Sequence, residues 1–172
     1  MAAQQAADRR PFIERIGETP AARDDARTRG AIAALKERAR SDAALAPLAA
    51  TLENPRAIEL LAGIFTGSPY LSGLIERDPA RLALILTTAP ETRLAQLNSE
   101  LGAKLKAAET RPAAMRALRQ FKSEVAVLTA LADLGGVWPV LSVTGALTEC
   151  ADATLRGAVD FLFREATARG QW

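Results

Sequence analysis

The sequence contains no histidine and a single cysteine, and each shortage removes a class of chemistry. Without histidine the chain lacks the commonest general base at neutral pH and the commonest transition-metal ligand. One thiol, Cys150, can build neither an internal disulfide nor a thiolate metal cluster. It falls on the apolar side of the last amphipathic run, where a buried and inert thiol is expected. Aromatic residues make up only 5% although apolar residues reach 49%, so alanine and leucine carry the hydrophobic share. That balance suits closely packed helices, and not a sheet of β-branched and aromatic side chains. An excess of one charge is also lacking: 22 Lys and Arg stand against 20 Asp and Glu, dispersed among one another. A nucleic-acid-binding stripe is therefore not expected. No apolar run approaches the roughly 20 residues needed to span a bilayer. The opening MAAQQAADRR has no apolar core of a secretory signal. The expectation is a cytoplasmic protein with neither nucleic acid nor membrane as a partner.

What the chain does contain is helical periodicity. Its 172 residues suffice for one domain with a real core. From Arg111 onward, Met115, Leu118, Val125, Leu128 and Leu131 fall on one face of a 3.6-period helix, with Phe121 at the edge of the stripe. A second run repeats the pattern through Val143, Leu147, Cys150, Leu155, Val159, Leu162, Phe163 and Ala166. Asp133-Leu134-Gly135-Gly136 interrupts the two, so the chain should end in a long helical hairpin. Truncating Leu128 or Leu162 to alanine should then cost roughly 2–5 kcal/mol.

Upstream, helix starts recur. Asn54-Pro55, Ser68-Pro69 and Asp78-Pro79 each place a capping side chain before a proline suited to the first helical position. Thr88 and Glu91 are spaced as a capping box, and Thr110 or Arg111 opens the long helix. A helix is expected from Asp24 to Arg40, with Asp24 and Asp25 favouring its N-terminal end. Ser41-Asp42 can cap the next turn, and Pro47 argues against a continuous helix through Leu52. Residues 1–22 read as an extended, flexible leader, with Phe12, Ile13 and Ile16 available to pin it to the body. The predicted fold is all-α: a multi-helix bundle of about seven or eight helices over residues 23–172.

Candidate chemistry is sparse. Glu76 and Asp78 bracket Arg77, but a helix start explains Asp78 better than a metal pair does. Gly135-Gly136 lacks the spacing of a phosphate loop and fits a helix C-terminus needing a left-handed residue. Arg116, Arg119 and Lys122 form a basic ridge. It fits either a contact with phosphate or a partner's acids, or a solvated helix face. Asp133 meets the negative end of its helix dipole and calls for compensation. An ion pair with Arg77, Arg81 or Arg156 would supply it, and so would contact with a neighbouring domain. Asp152–Arg156 and Asp160–Arg164 are spaced as favourable i,i+4 pairs.

Three segments, GIFTGSPYLSGLIERDPARL, MRALRQFKSEVAVLTALADLGG and LTECADATLRGAVDFLFREA, carry a resemblance. The first supplies Ser68-Pro69 and Arg77-Asp78-Pro79. The second places Leu118, Arg119, Lys122 and Glu124 before Asp133, Leu134 and Gly136, and Ala151-Asp152 follows. Together they resemble the N-terminal helical part of the bifunctional glutamine synthetase adenylyltransferase family, over about residues 55–172. Members resemble two polymerase-β-type nucleotidyltransferase domains joined by helical regions. One removes AMP from a glutamine synthetase tyrosine by phosphorolysis and the other attaches it from ATP. Each of those sites holds Mg²⁺ through a Ser-Asp-x-Asp motif. Ser41-Asp42 is followed by Ala43-Ala44, so no catalytic, cofactor-binding or metal residue carries over.

The resemblance therefore implies a supportive helical segment. Mg²⁺ and ATP belong to the longer enzyme, whose other domains are its first partners and glutamine synthetase and the PII regulator further ones. Glu165 to Trp172 show no closing cap, as expected of a chain cut just before the first catalytic strand. The alternative is a free-standing all-α adaptor.

Overall fold

The computed structural model describes residues 8–23 and 26–170. Among these residues there are eight α-helices and no strand. They are α1 (Ala26–Ser41), α2 (Ala46–Thr51), α3 (Pro55–Gly67), α4 (Pro69–Arg77), α5 (Pro79–Thr87), α6 (Pro90–Ala107), α7 (Arg111–Leu134) and α8 (Val140–Ala168). The all-α bundle ending in a long hairpin is thus observed. Asp24 and Asp25, expected at the first helix start, lie outside the described residues.

The proline-marked starts form as anticipated. Asn54 Oδ1 accepts from Arg56 N at 3.0 Å, Ser68 Oγ from Leu71 N at 3.3 Å and Asp78 Oδ1 from Arg81 N at 3.1 Å. Each satisfies one of the amide donors that a helix N-terminus leaves unpaired. Thr110 does the same for α7 through Ala113 N. Asp42 caps a 3₁₀ turn at Ala43–Leu45, and Pro47 sits in the first turn of α2, where a missing N–H costs nothing. The capping box at Thr88 and Glu91 does not form. Ala89 precedes α6 with no side-chain cap, and Glu91 turns toward the Arg15 guanidinium and the Trp138 indole N–H described below.

Two groups of helices share one core. α1, α2, α3, α4 and α5 pack on one another, while α6, α7 and α8 pack on each other. Contacts of α4 with α7 and of α5 with α6 join the groups. Leu48, Leu60, Ile85, Leu86, Leu128 and Leu131 are fully buried in this core.

The leader expected over 1–22 is, across its described residues, part of the packed body. Phe12 and Ile16 are buried in the core, and a 3₁₀ turn spans Phe12–Glu14. Phe12 N donates to Thr88 O at 3.0 Å, and Gly17 N and Glu18 N both donate to Gly135 O. Apolar anchors every four residues and these backbone bonds outweigh the absence of helical periodicity.

The C-terminal hairpin departs most from expectation. On α7, Phe121 is buried and Met115 is half exposed, so the true stripe is rotated toward Phe121. On α8 the buried residues are Ala146, Cys150 and Phe161. Leu147, Leu155, Val159, Leu162 and Phe163, all expected in the stripe, are exposed. The helix carries two apolar faces, and α6 and α7 cover one of them. Asp160 and Arg164 do not pair. Arg164 instead donates to the carbonyls of Leu105, at 2.6 Å, and Lys106, at 3.2 Å, satisfying the C-terminal end of α6.

Candidate functional site

The first cluster of polar side chains joins α5, α6 and α7. Arg93 on α6 and Glu124 on α7 point into the seam where the two helices cross. Arg93 Nη2 donates to Glu124 Oε2 at 2.7 Å, and Arg93 Nη1 to Glu100 Oε1 at 2.8 Å. Arg81 on α5 approaches the other Glu124 oxygen at 3.5 Å and pairs with its own capping residue, Asp78, at 3.1 Å. The Arg93 and Glu124 side chains are 5% and 11% exposed, so water screens this pair little. Burial works against the Arg93 charge, yet the hydrogen bonds it donates to Glu100 and Glu124 hold its pKa above the ordinary arginine value. Two arginines and three carboxylates are thereby tied to one another, with no group left to act as a free acid or base.

A second cluster ties the N-terminal segment to the hairpin. Arg15 grips both Glu91 oxygens, Nη1 at 2.7 Å and Nη2 at 2.9 Å, and Trp138 Nε1 donates to the same carboxylate at 2.7 Å. Burial alone would raise the Glu91 pKa, but the Arg15 and Trp138 hydrogen bonds outweigh it and hold it below the ordinary value. Arg56 Nη1 adds a 2.6 Å bond to the carbonyl of Ile16.

Of the residues singled out in the sequence, Gly135 and Gly136 belong to this second assembly. Gly136 has φ of 60°, a left-handed residue closing α7, and a side chain there would crowd Glu18. The Gly135 carbonyl is the acceptor for the N-terminal strand of backbone, a role beyond turning the helix. Arg116, Arg119 and Lys122 lie exposed along α7 and make no ion pair among the described residues. Asp133 is exposed and its expected partners are engaged elsewhere: Arg77 with Gly73 O, Arg81 with Asp78 and Glu124, Arg156 with Asp152. The expected ion pair is absent among the described residues, because exposure lets water solvate the carboxylate at the helix end. Asp152 and Arg156 approach to 3.5 Å on an exposed face.

The sequence pattern sets Glu124 beside the basic ridge on a solvated face and marks no role for Arg93, whereas the structure buries both. The signal available was a charged residue in register with an apolar stripe: Glu124 falls between Phe121 and Leu128 on α7. Glu76 is exposed and Asp78 is committed to its cap and to Arg81. Among the described residues no group of three Cys, Asp or Glu converges as a metal site would require. Cys150 is buried at the α7–α8 interface. Burial raises its thiol pKa, against smaller opposing effects of Thr154 and Lys122, which disfavours the thiolate.

The described residues thus form a multi-helix bundle knitted by the buried Arg93–Glu124 pair and the part-buried Arg15–Glu91 pair. Residues 58–171 match the family model for glutamate-ammonia ligase adenylyltransferase, and the chain belongs to that family. It is 44% identical over 126 residues to the bifunctional glutamine synthetase adenylyltransferase/adenylyl-removing enzyme of Bradyrhizobium diazoefficiens. That alignment covers 73% of this chain and 13% of the relative. The enzymes of the same name from Rhodopseudomonas palustris and Xanthobacter autotrophicus are 45% and 41% identical, over 64% and 68% of this chain and 11% and 12% of theirs. The chain thus spans about an eighth of the length of the relatives it matches. No solved structure matches it. No helix among the described residues is long and apolar enough to cross a membrane.

Proposed function

We propose that these residues form the helical region that precedes and buttresses the adenylyl-removing domain of a bifunctional glutamine synthetase adenylyltransferase. The observation that carries this reading is the family match over 58–171, in relatives about eight times longer than the aligned stretch. In the whole enzyme, Mg²⁺ and ATP serve catalytic domains outside these residues, and the reaction takes place in the cytoplasm on glutamine synthetase. This region supplies stiffness. The Arg93–Glu124 cluster locks α6 to α7 and the Arg15–Glu91 cluster ties the N-terminal segment to α6, so a domain resting on the bundle is held in one orientation. The exposed ridge of Arg116, Arg119 and Lys122 is the surface best suited to acidic groups of a partner, glutamine synthetase or the PII regulator among them.

The test is an adenylylation assay. The purified 172-residue chain, given glutamine synthetase, Mg²⁺, ATP and phosphate, should neither attach nor remove AMP. Protein expressed from the whole coding sequence should do both. Turnover by the short chain would overturn this reading, and a coding sequence that stops after Trp172 would favour a free-standing adaptor.

A further inference from the structure

The outer face of α8 is an apolar surface that the bundle does not cover. Leu147, Leu155 and Leu162 lie on one side of the helix at spacings of eight and seven residues, and are 48%, 66% and 48% exposed. Isolated exposed leucines are ordinary, but a continuous stripe on a helix already packed along its other face is an interaction surface. Between this stripe and α7 runs a groove. Its first part, about 430 Å³, is floored by Val125 and Ala126 and walled by Lys122 and Leu155. Ala158 carries it into a second hollow of about 150 Å³ beside Met115 and Leu162. From Leu147 to Leu162 the distance along the axis is roughly 22 Å at 1.5 Å per residue, about four helical turns.

The charged side chains that line this groove are both basic: Lys122 in the first hollow, and in the second Arg111, which is already paired with Glu165 at 2.6 Å. No carboxylate lines either hollow, whereas Lys122 stands on the wall without an ion pair among the described residues. Arg119 follows on the same exposed side of α7. A second copy docking by the same face would bring no acid to Lys122, because a two-fold contact uses the same patch twice. The relatives, in contrast, carry most of their length outside the matched stretch.

We infer that the α7–α8 groove seats an amphipathic helix from the remainder of the longer polypeptide, apolar along one stripe and acidic on the edge facing Lys122. This rests on the reading of the chain as part of a longer enzyme. The seated helix is held as helices are held in grooves generally, by leucine-type anchors at three- and four-residue spacing. The acidic edge sets its direction and register.

The experiment is hydroxyl-radical labelling of Leu147, Leu155 and Leu162 in two proteins: the 172-residue chain and the product of the whole coding sequence. The expected result is severalfold weaker labelling in the long protein. Lys122→Glu there should restore labelling at Leu155, and Lys122→Arg should not. Since Lys122 is exposed, an unchanged thermal midpoint in both variants keeps the comparison free of unfolding. Equal labelling in a long protein that still adds and removes AMP would overturn this inference while leaving the proposed function intact. Protection in the short chain that grows with concentration, alongside a dimer mass, would assign the groove to a second copy instead. A reading frame closing after Trp172 would remove both proposals together.

Discussion

Glu124 on α7 and Arg93 on α6 meet 2.7 Å apart, 31 residues separated in sequence and both nearly sealed from water. Removing Glu124 leaves the buried Arg93 with Glu100 as its remaining carboxylate and its Nη2 without the acceptor it has in the parent. Glu124→Ala should therefore destabilise the chain by about 3–5 kcal/mol, read from urea unfolding. The simultaneous replacement Arg93→Met and Glu124→Leu should recover most of that loss, since apolar pairs of similar size pack in place of buried ions. A double variant no more stable than Glu124→Ala would mean that the pair contributes net attraction well beyond its desolvation.

Leu128 and Leu162 look alike in the helical pattern and should behave differently. Leu128 is fully buried, so Leu128→Ala should cost roughly 2–5 kcal/mol. Leu162 is 48% exposed, and Leu162→Ala should stay within about 1 kcal/mol of the parent in the 172-residue chain. Thermal unfolding of the two variants side by side decides whether the buried face of α8 is the one seen here.

Phe12 lies in a segment with no helical periodicity and is completely buried. Phe12→Ala should cost about 3–5 kcal/mol, as for a core aromatic. Proteolysis should report the same fact differently, with the Arg15 peptide bond resistant in the parent and cut in the variant. A Phe12→Ala protein of unaltered stability would return residues 8–22 to the status of a loose leader.

The Glu91 carboxyl, gripped by Arg15 and Trp138, has its pKa below the ordinary value of 4.5. A depressed folded-state pKa adds stability that is fully present above the unfolded value and lost as pH falls through the folded one. Stability measured by denaturant should therefore decline from about pH 4.5 downward, and Glu91→Gln should make that decline shallower. Asp8, held at about 2 chiefly by its hydrogen bonds from Arg10, acts in the same direction but sits on the surface, so its removal should change the slope less.

How far residues alone reach is clear from where the account held. Helix starts at Asn54, Ser68, Asp78 and Thr110 were legible because a cap and its helix are a few residues apart, and the chemistry is complete within that span. Gly136 was legible for the same reason, since a left-handed residue at a helix end is a local demand. The absence of histidine was likewise open to inspection before any fold was known.

The remaining features depend on which surfaces meet. Glu91 sits at capping-box spacing, yet Arg15 from 76 residues upstream in the chain outcompetes the backbone amide. The α8 stripe was misplaced because that helix is apolar on two sides, and periodicity cannot say which side α6 and α7 will cover. Local pattern determines that a helix forms and how it begins, because those energies arise within one turn. Only the assembled bundle decides which leucine is sealed and which charge finds its counterion, because burial and ion pairing depend on side chains far apart along the backbone.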